Sequence, residues 1–210
     1  MISLNSELLI SFVIATATLA ITPGPDNIFV LIQSMTYGKK QGMAIVCGLI
    51  SGCLIHTSLV AFGLSSFIKS NTELLFGLKL LGAGYLFFLA YRVFKSTEVI
   101  NPTNPTTESK SVLALFKQGF IMNVINPKVS LFFMAFFPAF LFSETQSFIV
   151  QFYMLGFLFM STSFLIFSMF VLFSSSVGSV LKSNNRFGVV LKWLQITVFL
   201  GIAIFILISN

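Results

Sequence analysis

Long apolar runs separated by short polar stretches dominate the pattern along this chain of 210 residues. Crossing the hydrocarbon core of a bilayer as an α-helix takes about 20 apolar residues. Six segments reach that length and are predicted to be transmembrane helices: residues 8–34, 42–67, 74–94, 112–142, 148–173 and 189–208. The apolar runs are continuous rather than alternating, which disfavours a transmembrane β-barrel. The pattern therefore predicts an all-α, polytopic membrane protein.

The six segments form two sets of three on either side of a polar linker. We divide the chain into a first three-helix repeat at residues 1–95, a cytoplasmic linker at 96–111 and a second three-helix repeat at 112–210. Because each set has an odd number of segments, the second set lies upside down relative to the first, as in an inverted repeat. Proline motifs at Pro25 and Pro127 interrupt the first and fourth segments. We expect both of these helices to be broken there.

The composition excludes several classes of protein. Hydrophobic residues make up 56% of the chain and charged residues only 9%, whereas soluble domains carry about 25% charged residues. A soluble enzyme, a disulfide scaffold and a disordered chain are therefore excluded. The net charge of +6 is explained by lysine and arginine in the loops on the linker side, so we expect no nucleic-acid partner. The positive-inside rule places the linker in the cytoplasm and both termini outside.

The two helix breaks are the candidate binding site. In lipid, unwound backbone occurs only where it is buried in protein or lines a water-filled cavity. Half-helix N-termini favour a carboxylate, and freed carbonyl groups can hold a cation or an ammonium group. A zwitterionic amino acid suits two opposed breaks of this kind. The alternative is a pair of proline kinks that only shape the bundle.

Charged and amide side chains flank both breaks. Asp26 is the only acid inside an apolar segment, and it can bind a substrate ammonium, carry a proton or cap the following half-helix. Lys128 can pair with Asp26, meet a substrate carboxylate or extend to the membrane interface. Asn27, Asn123 and Asn126 can serve the substrate or satisfy the backbone freed by the breaks.

Small residues and one histidine mark close helix contacts. His56, the only histidine, shares a helix face with Gly48 and Gly52. It can relay protons or act as a hydrogen-bonded packing residue. Gly82 and Gly84 in the third segment are interpreted as close-packing positions.

Three stretches of the chain together resemble the LysE/RhtB family of bacterial amino-acid exporters. They are the run from Thr22 to Asn27 with the glycines and His56 after it, residues 81–86 (LGAGYL), and residues 119–128 (GFIMNVINPK). The resemblance covers nearly the whole chain. It implies export of amino acids or close derivatives across the bacterial inner membrane by proton antiport. Members of the RhtB type handle small neutral amino acids such as homoserine, threonine or leucine, and members of the LysE type handle basic ones; we expect a neutral substrate. The resemblance also implies association as a homodimer.

The resemblance assigns functional positions to named residues of this chain. Together with Asn27, which the reasoning about the breaks adds, the expected substrate-binding residues are Pro23, Gly24, Pro25, Asp26, Asn27, Asn123, Asn126, Pro127 and Lys128. Asp26 or His56 is expected to exchange the coupled proton.

Alternatives to this interpretation are an exporter of basic amino acids, an exporter of a metal or other cation, a membrane-embedded enzyme and a structural scaffold. Cys47 and Cys53 lie on divergent helix faces and are interpreted as small core residues, so we expect no metal site. With one histidine and no nucleophile or phosphate-binding motif, we expect neither enzyme activity nor a cofactor.

Overall fold

The computed structural model describes residues 6–22, 24–64, 72–95, 111–143, 145–174 and 185–208. Within these ranges all regular secondary structure is helical, as predicted. The eight α-helices are α1 Ser6–Ile21, α2 Pro25–Tyr37, α3 Lys39–Leu59, α4 Thr72–Lys95, α5 Val112–Val124, α6 Pro127–Leu131, α7 Phe148–Leu172 and α8 Asn185–Ile208. A π-helical turn, Val60–Leu64, extends α3. Helix α6 continues as a π-helical turn, Phe132–Phe136, and a 3-10 turn, Phe137–Phe140.

Both predicted helix breaks are present. Helix α1 ends at Ile21 and α2 begins at Pro25, while α5 ends at Val124 and α6 begins at Pro127. Each proline occupies the start of a helix because it has no N–H to donate and its fixed φ suits the first turn. The chain bends by 59° at the first break and by 49° at the second.

Two of the described helical stretches are long and apolar enough to cross a membrane, Lys39–Gly63 and Phe148–Leu172. Each bent pair also passes this test if it is counted as one span, which raises the number to four. Large apolar side chains such as Leu59, Phe76 and Phe157 are exposed on the helix surfaces. Such surfaces are typical of contact with lipid.

Glycines bring α3 and α5 into direct backbone contact. A Cβ atom on Gly48 would collide with the carbonyl group of Phe116, and one on Gly119 would collide with that of Ile45. A Cβ on Gly52 would lie 2.8 Å from the Cβ of Asn123. The predicted small-residue face of α3 is therefore confirmed as the surface on which α5 packs.

Helix α4 confirms one predicted close contact and corrects another. A Cβ on Gly82 would collide with the carbonyl group of Ala135. Gly84 is exposed with nothing near it, so its interpretation as a packing residue is wrong. The two glycines differ because positions two apart lie on nearly opposite sides of a helix.

The two cysteines also differ. Both are free, and Cys53 is buried as predicted. Cys47 is exposed, so its interpretation as a core residue is wrong. It lies in an open apolar groove between α3 and α5, beside Met43 and Phe116.

The buried apolar side chains form two separate clusters. The larger, here called the phenylalanine cluster, includes Phe12, Phe132, Phe133, Phe136, Phe137, Phe140, Phe152 and Phe159. The smaller, here called the aliphatic cluster, includes Val30, Ile45, Leu49, Leu115, Phe167 and Val171. Leu19 and Val129, beside the two breaks, belong to the phenylalanine cluster, and Val30 of α2 belongs to the aliphatic cluster.

Candidate functional site

The first break leaves carbonyl groups of α1 without their usual partners. The residue four positions after Leu19 is Pro23, which has no N–H. Pro23 itself lies outside the described residues. Gly24 is the N-cap of α2 and provides no capping side chain. The break therefore needs donors from elsewhere in the chain.

Asn27 provides one of these donors. Its Nδ2 donates a hydrogen bond across the break to the carbonyl oxygen of Ala20. Its Oδ1 is buried and has no partner among the described residues. Of the two roles predicted for Asn27, the structure therefore has the one in which its side chain bonds to a backbone carbonyl group freed by the break. The side-chain oxygen of Asn27 remains an acceptor without a partner in the described part of the chain.

Lys128 reaches the first break from the second. Its Nζ donates to the carbonyl oxygens of Leu19, at 2.9 Å, and Thr22, at 3.1 Å. A buried ammonium group without such partners would cost several kcal/mol. The side chain thus points into the protein, and the alternative in which it extends to the membrane interface does not apply.

The backbone at the second break is held by its own side chains and by α4. Asn126 is the N-cap of α6, and its Oδ1 accepts a hydrogen bond from the backbone N–H of Lys128 at 3.0 Å. Ser130 Oγ donates to the carbonyl oxygen of Asn126 at 3.1 Å. Tyr85 of α4 donates its hydroxyl to the carbonyl oxygen of Lys128 at 3.2 Å. These bonds fix the position from which the lysine side chain extends.

Asp26 lies in the first turn of α2, where the helix dipole favours a carboxylate. It is 5% exposed, and its Oδ1 has no partner in the described part of the chain. It does not act as the N-cap, since that position belongs to Gly24. The carboxylate therefore keeps a free acceptor in a buried place, which a purely structural cap would not do.

Gly24 leaves open the space on which the polar groups of the first break converge. A Cβ on Gly24 would lie 2.7 Å from Asp26 Oδ1, 3.7 Å from Lys128 Nζ and 3.9 Å from Asn27 Oδ1. The negative and the positive group thus approach one point from two different halves of the chain. Any larger residue at position 24 would occupy that point.

A small cavity of about 20 Å³ lies where the two breaks meet. Its polar lining residues are Asp26, Asn123, Lys128 and Ser163, and its apolar ones include Leu49, Val129, Phe159 and Phe167. A volume of this size holds about one water molecule, whereas small-molecule pockets measure about 300–1,000 Å³. In this structure the cavity is therefore far too small for a substrate-sized molecule.

Asn123 connects the cavity to α3. Its Nδ2 donates to Cys53 Sγ at 3.5 Å, and its Oδ1 has no partner within the described ranges. Its backbone carbonyl oxygen accepts a hydrogen bond from His56 Nε2 at 3.1 Å. His56 also packs against Phe133, with ring centroids 5.4 Å apart. Its surroundings match those of a hydrogen-bonded packing residue behind the cavity wall, and its role in proton exchange stays a prediction.

Most of the predicted site residues lie together. Gly24, Asp26, Asn27, Asn123, Asn126 and Lys128 all surround the region between the two breaks. The backbone of Pro25 and Pro127 begins the two half-helices. Reasoning from the sequence missed the residues that α3, α4 and α7 add: Cys53, Tyr85, Phe159, Ser163 and Phe167. Nothing in an apolar helix marks which face lines a cavity.

Comparison with known proteins identifies the family of the chain. A family model described as LysE type translocator matches residues 17–210. An uncharacterized membrane protein of Pseudomonas aeruginosa is 33% identical over 134 residues, which cover 62% of this chain and 62% of that protein. Leucine efflux proteins of Salmonella typhimurium and Salmonella choleraesuis are 27% identical over 193 residues, which cover 92% of this chain and 91% of theirs. No solved structure matches the chain. The family and the names of these relatives indicate a transporter in a membrane rather than an enzyme.

Proposed function

The chain belongs to the LysE type translocator family, and we propose that it exports small neutral amino acids or close derivatives from the cytoplasm by proton antiport. The observation that carries the proposal is the position of Lys128, whose ammonium group bonds to the first break from the second, close to Asp26. The two breaks thus form one site with one positive and one negative side chain. Relatives named leucine efflux protein support an amino acid as the cargo.

The charges of the site match those of a zwitterion. Asp26 binds the ammonium group of the substrate, and Lys128 binds its carboxylate after leaving the carbonyl oxygens of Leu19 and Thr22. In the closed protein, these two carbonyl oxygens accept hydrogen bonds from the Lys128 ammonium group. A free metal cation fits this site poorly, because the positive charge of Lys128 would repel it.

The proposed architecture has six transmembrane helices arranged as two inverted repeats. Helices α4 and α8 have 24 residues each, which is about 36 Å of α-helix and enough to cross a bilayer core of about 30 Å. Exchanging the two halves exchanges α1 with α5 and α3 with α7. If the halves are related in this way, the contact between α3 and α5 in one arrangement corresponds to a contact between α7 and α1. Both pairs of helices are in contact.

Transport proceeds by alternating access around the fixed site. The cavity is bordered by Phe159 of the phenylalanine cluster and by Leu49 and Phe167 of the aliphatic cluster. In the orientation given by the positive-inside rule, the aliphatic cluster faces the cytoplasm. Separation of the aliphatic cluster admits the amino acid from the cytoplasm, and separation of the phenylalanine cluster releases it outside.

Asp26 couples export to protons. A proton bound from the outside neutralises the carboxylate, which weakens its attraction for the substrate ammonium group and favours release. The neutral carboxyl then returns to the cytoplasmic side and loses the proton there, and the next amino acid binds. His56 contributes by holding the backbone of Asn123 or by accepting the proton on its way. The protein works in the bacterial inner membrane, and a homodimer is its proposed assembly.

Uptake into everted vesicles, whose cytoplasmic face points outward, tests the proposal. Vesicles from cells that express the chain are assayed for movement of labelled leucine, threonine, homoserine and lysine, with and without an imposed pH gradient. We expect faster transport of neutral amino acids than in empty-vector vesicles, with acceleration by the gradient. Rates equal to those of the control for every amino acid would contradict the proposal.

A further inference from the structure

Helix α7 forms a side of the cavity on which no predicted site residue lies. Phe159, Ser163 and Phe167 follow one another at intervals of four residues, so they share one face of the helix. All three line the cavity. They are 4%, 3% and 6% exposed, respectively. Ser163 is thus one helical turn from an aromatic residue on either side, in a cavity that the helix breaks also line.

Ser163 Oγ has no hydrogen-bond partner among the described residues, although it is buried. Asp26 Oδ1 and Asn123 Oδ1, which belong to the same cavity lining, are also without partners in the described part of the chain. Buried polar atoms normally have partners, so each such atom needs an explanation. Three oxygen atoms that can accept hydrogen bonds match the three N–H donors of an ammonium group.

The rest of the lining is apolar. Apart from Asp26 and Lys128, the described residues around the cavity carry no ionised side chain. A zwitterion uses both of these charges for its own ammonium and carboxylate groups. A third charge, on a lysine-like side chain, would be buried without a counter-ion, which is strongly unfavourable.

We infer that α7 is the selectivity wall of the site: Ser163 accepts a hydrogen bond from the substrate ammonium group, and Phe159 and Phe167 contact an apolar substrate side chain. This inference rests on the proposed export function. It narrows the substrates to amino acids with uncharged, apolar side chains.

Ser163→Ala tests the hydrogen bond, with Ser161→Ala as the matched control. Ser161 is on the same helix and half-buried but does not line the cavity. Loss of one hydrogen bond to the substrate is expected to raise the KM for leucine efflux about fivefold, with maximal rate and membrane amount unchanged. Ser163→Thr keeps the hydroxyl and should restore most of the affinity. Equal KM values for the two alanine variants would overturn the role of Ser163.

Phe167→Ala tests the wall for the side chain, with the exposed Phe164→Ala as its control. Phe167→Ala enlarges the pocket and should raise the ratio of phenylalanine to leucine export severalfold, whereas Phe164→Ala should leave this ratio unchanged. Phe167→Leu should raise the ratio by a smaller amount. It serves as the test variant if Phe167→Ala lowers the amount of folded protein. An unchanged export ratio in both Phe167 variants, or wild-type export of lysine as fast as that of leucine, would overturn the inference that the substrate side chain is apolar.

If the wild type exports no amino acid at all, the proposed function itself fails. Normal wild-type export with no effect of the Ser163 and Phe167 changes removes only this inference.

Discussion

Asp26 and Lys128 are the two residues whose presence in the interior is hardest to explain by structure alone. Placing an ion in the low-dielectric interior costs several kcal/mol, and a partner of opposite charge with good hydrogen bonds offsets that cost. Lys128 has two carbonyl partners, whereas Asp26 keeps an oxygen atom without one in the described part of the chain. A carboxylate held in this way is available to bind a proton or an ammonium group.

Asp26→Asn should abolish proton-driven efflux. The change keeps the shape of the side chain but removes the negative charge, so the site loses its proposed proton carrier and the carboxylate near Lys128. We expect the leucine efflux rate under an imposed pH gradient to fall at least about tenfold, with normal amounts of protein in the membrane. Glu7→Gln, the same change at an exposed acid, should have no effect. Efflux with an unchanged rate and gradient dependence would exclude Asp26 from the mechanism.

The sequence reveals some site residues and conceals others for physical reasons. Asp26 and Lys128 can be found because a charge in an apolar segment is costly and therefore conspicuous. Ser163 and Tyr85 cannot be found in this way, because a hydroxyl group in an apolar helix is common. Whether such a residue faces lipid or a cavity depends on how the helices pack, which no local pattern in α4 or α7 specifies.

At the scale of the helices, the contact between α3 and α5 holds the site together. Glycines on both sides of this contact let the backbones touch, because Gly48 faces Phe116 and Gly119 faces Ile45. The same contact places Asn123 of α5 beside Cys53 and His56 of α3. Without a hydrophobic driving force between helices in lipid, such close packing is a main source of association.

Gly119→Ala should weaken this contact. The added methyl group would collide with the carbonyl group of Ile45, and overpacking of this kind costs about 1–3 kcal/mol. We expect a lower melting temperature of the purified protein in detergent. The control is Gly84→Ala, since Gly84 is helical and exposed and its Cβ would meet nothing within 4 Å. Equal melting temperatures for the two variants would show that the α3–α5 contact tolerates separation.

The helix breaks could be predicted because proline acts locally. It removes a donor and fixes φ in whatever fold contains it, and both half-helices begin at the prolines that the sequence marks. The partners of Gly84 and Cys47 depend instead on which face of a helix meets a neighbour. Their predictions fail because nearly every face of these helices is apolar, so composition does not identify the buried one.

For the whole molecule, the central feature is a polar site enclosed between two apolar clusters. The cavity of about 20 Å³ is too small for an amino acid, so the structure is a closed conformation of the proposed transport cycle. Among the described residues, the aliphatic cluster has fewer buried side chains than the phenylalanine cluster. Separating it exposes less apolar surface, and we expect the closed protein to open first on that side.

The sequence predicts a membrane protein with two facing breaks, but the six-span inverted arrangement remains a prediction.

Alkylation of Cys53 tests most directly whether an amino acid binds between the two breaks. Cys53 is buried, lines the cavity and contacts Asn123, while exposed Cys47 is removed as Cys47→Ser. In purified protein in liposomes, a maleimide should modify Cys53 slowly, and leucine should slow the reaction further in a concentration-dependent manner. Lysine should give no protection. Modification at the same rate with and without leucine, in a preparation that transports leucine, would contradict a binding site at this cavity.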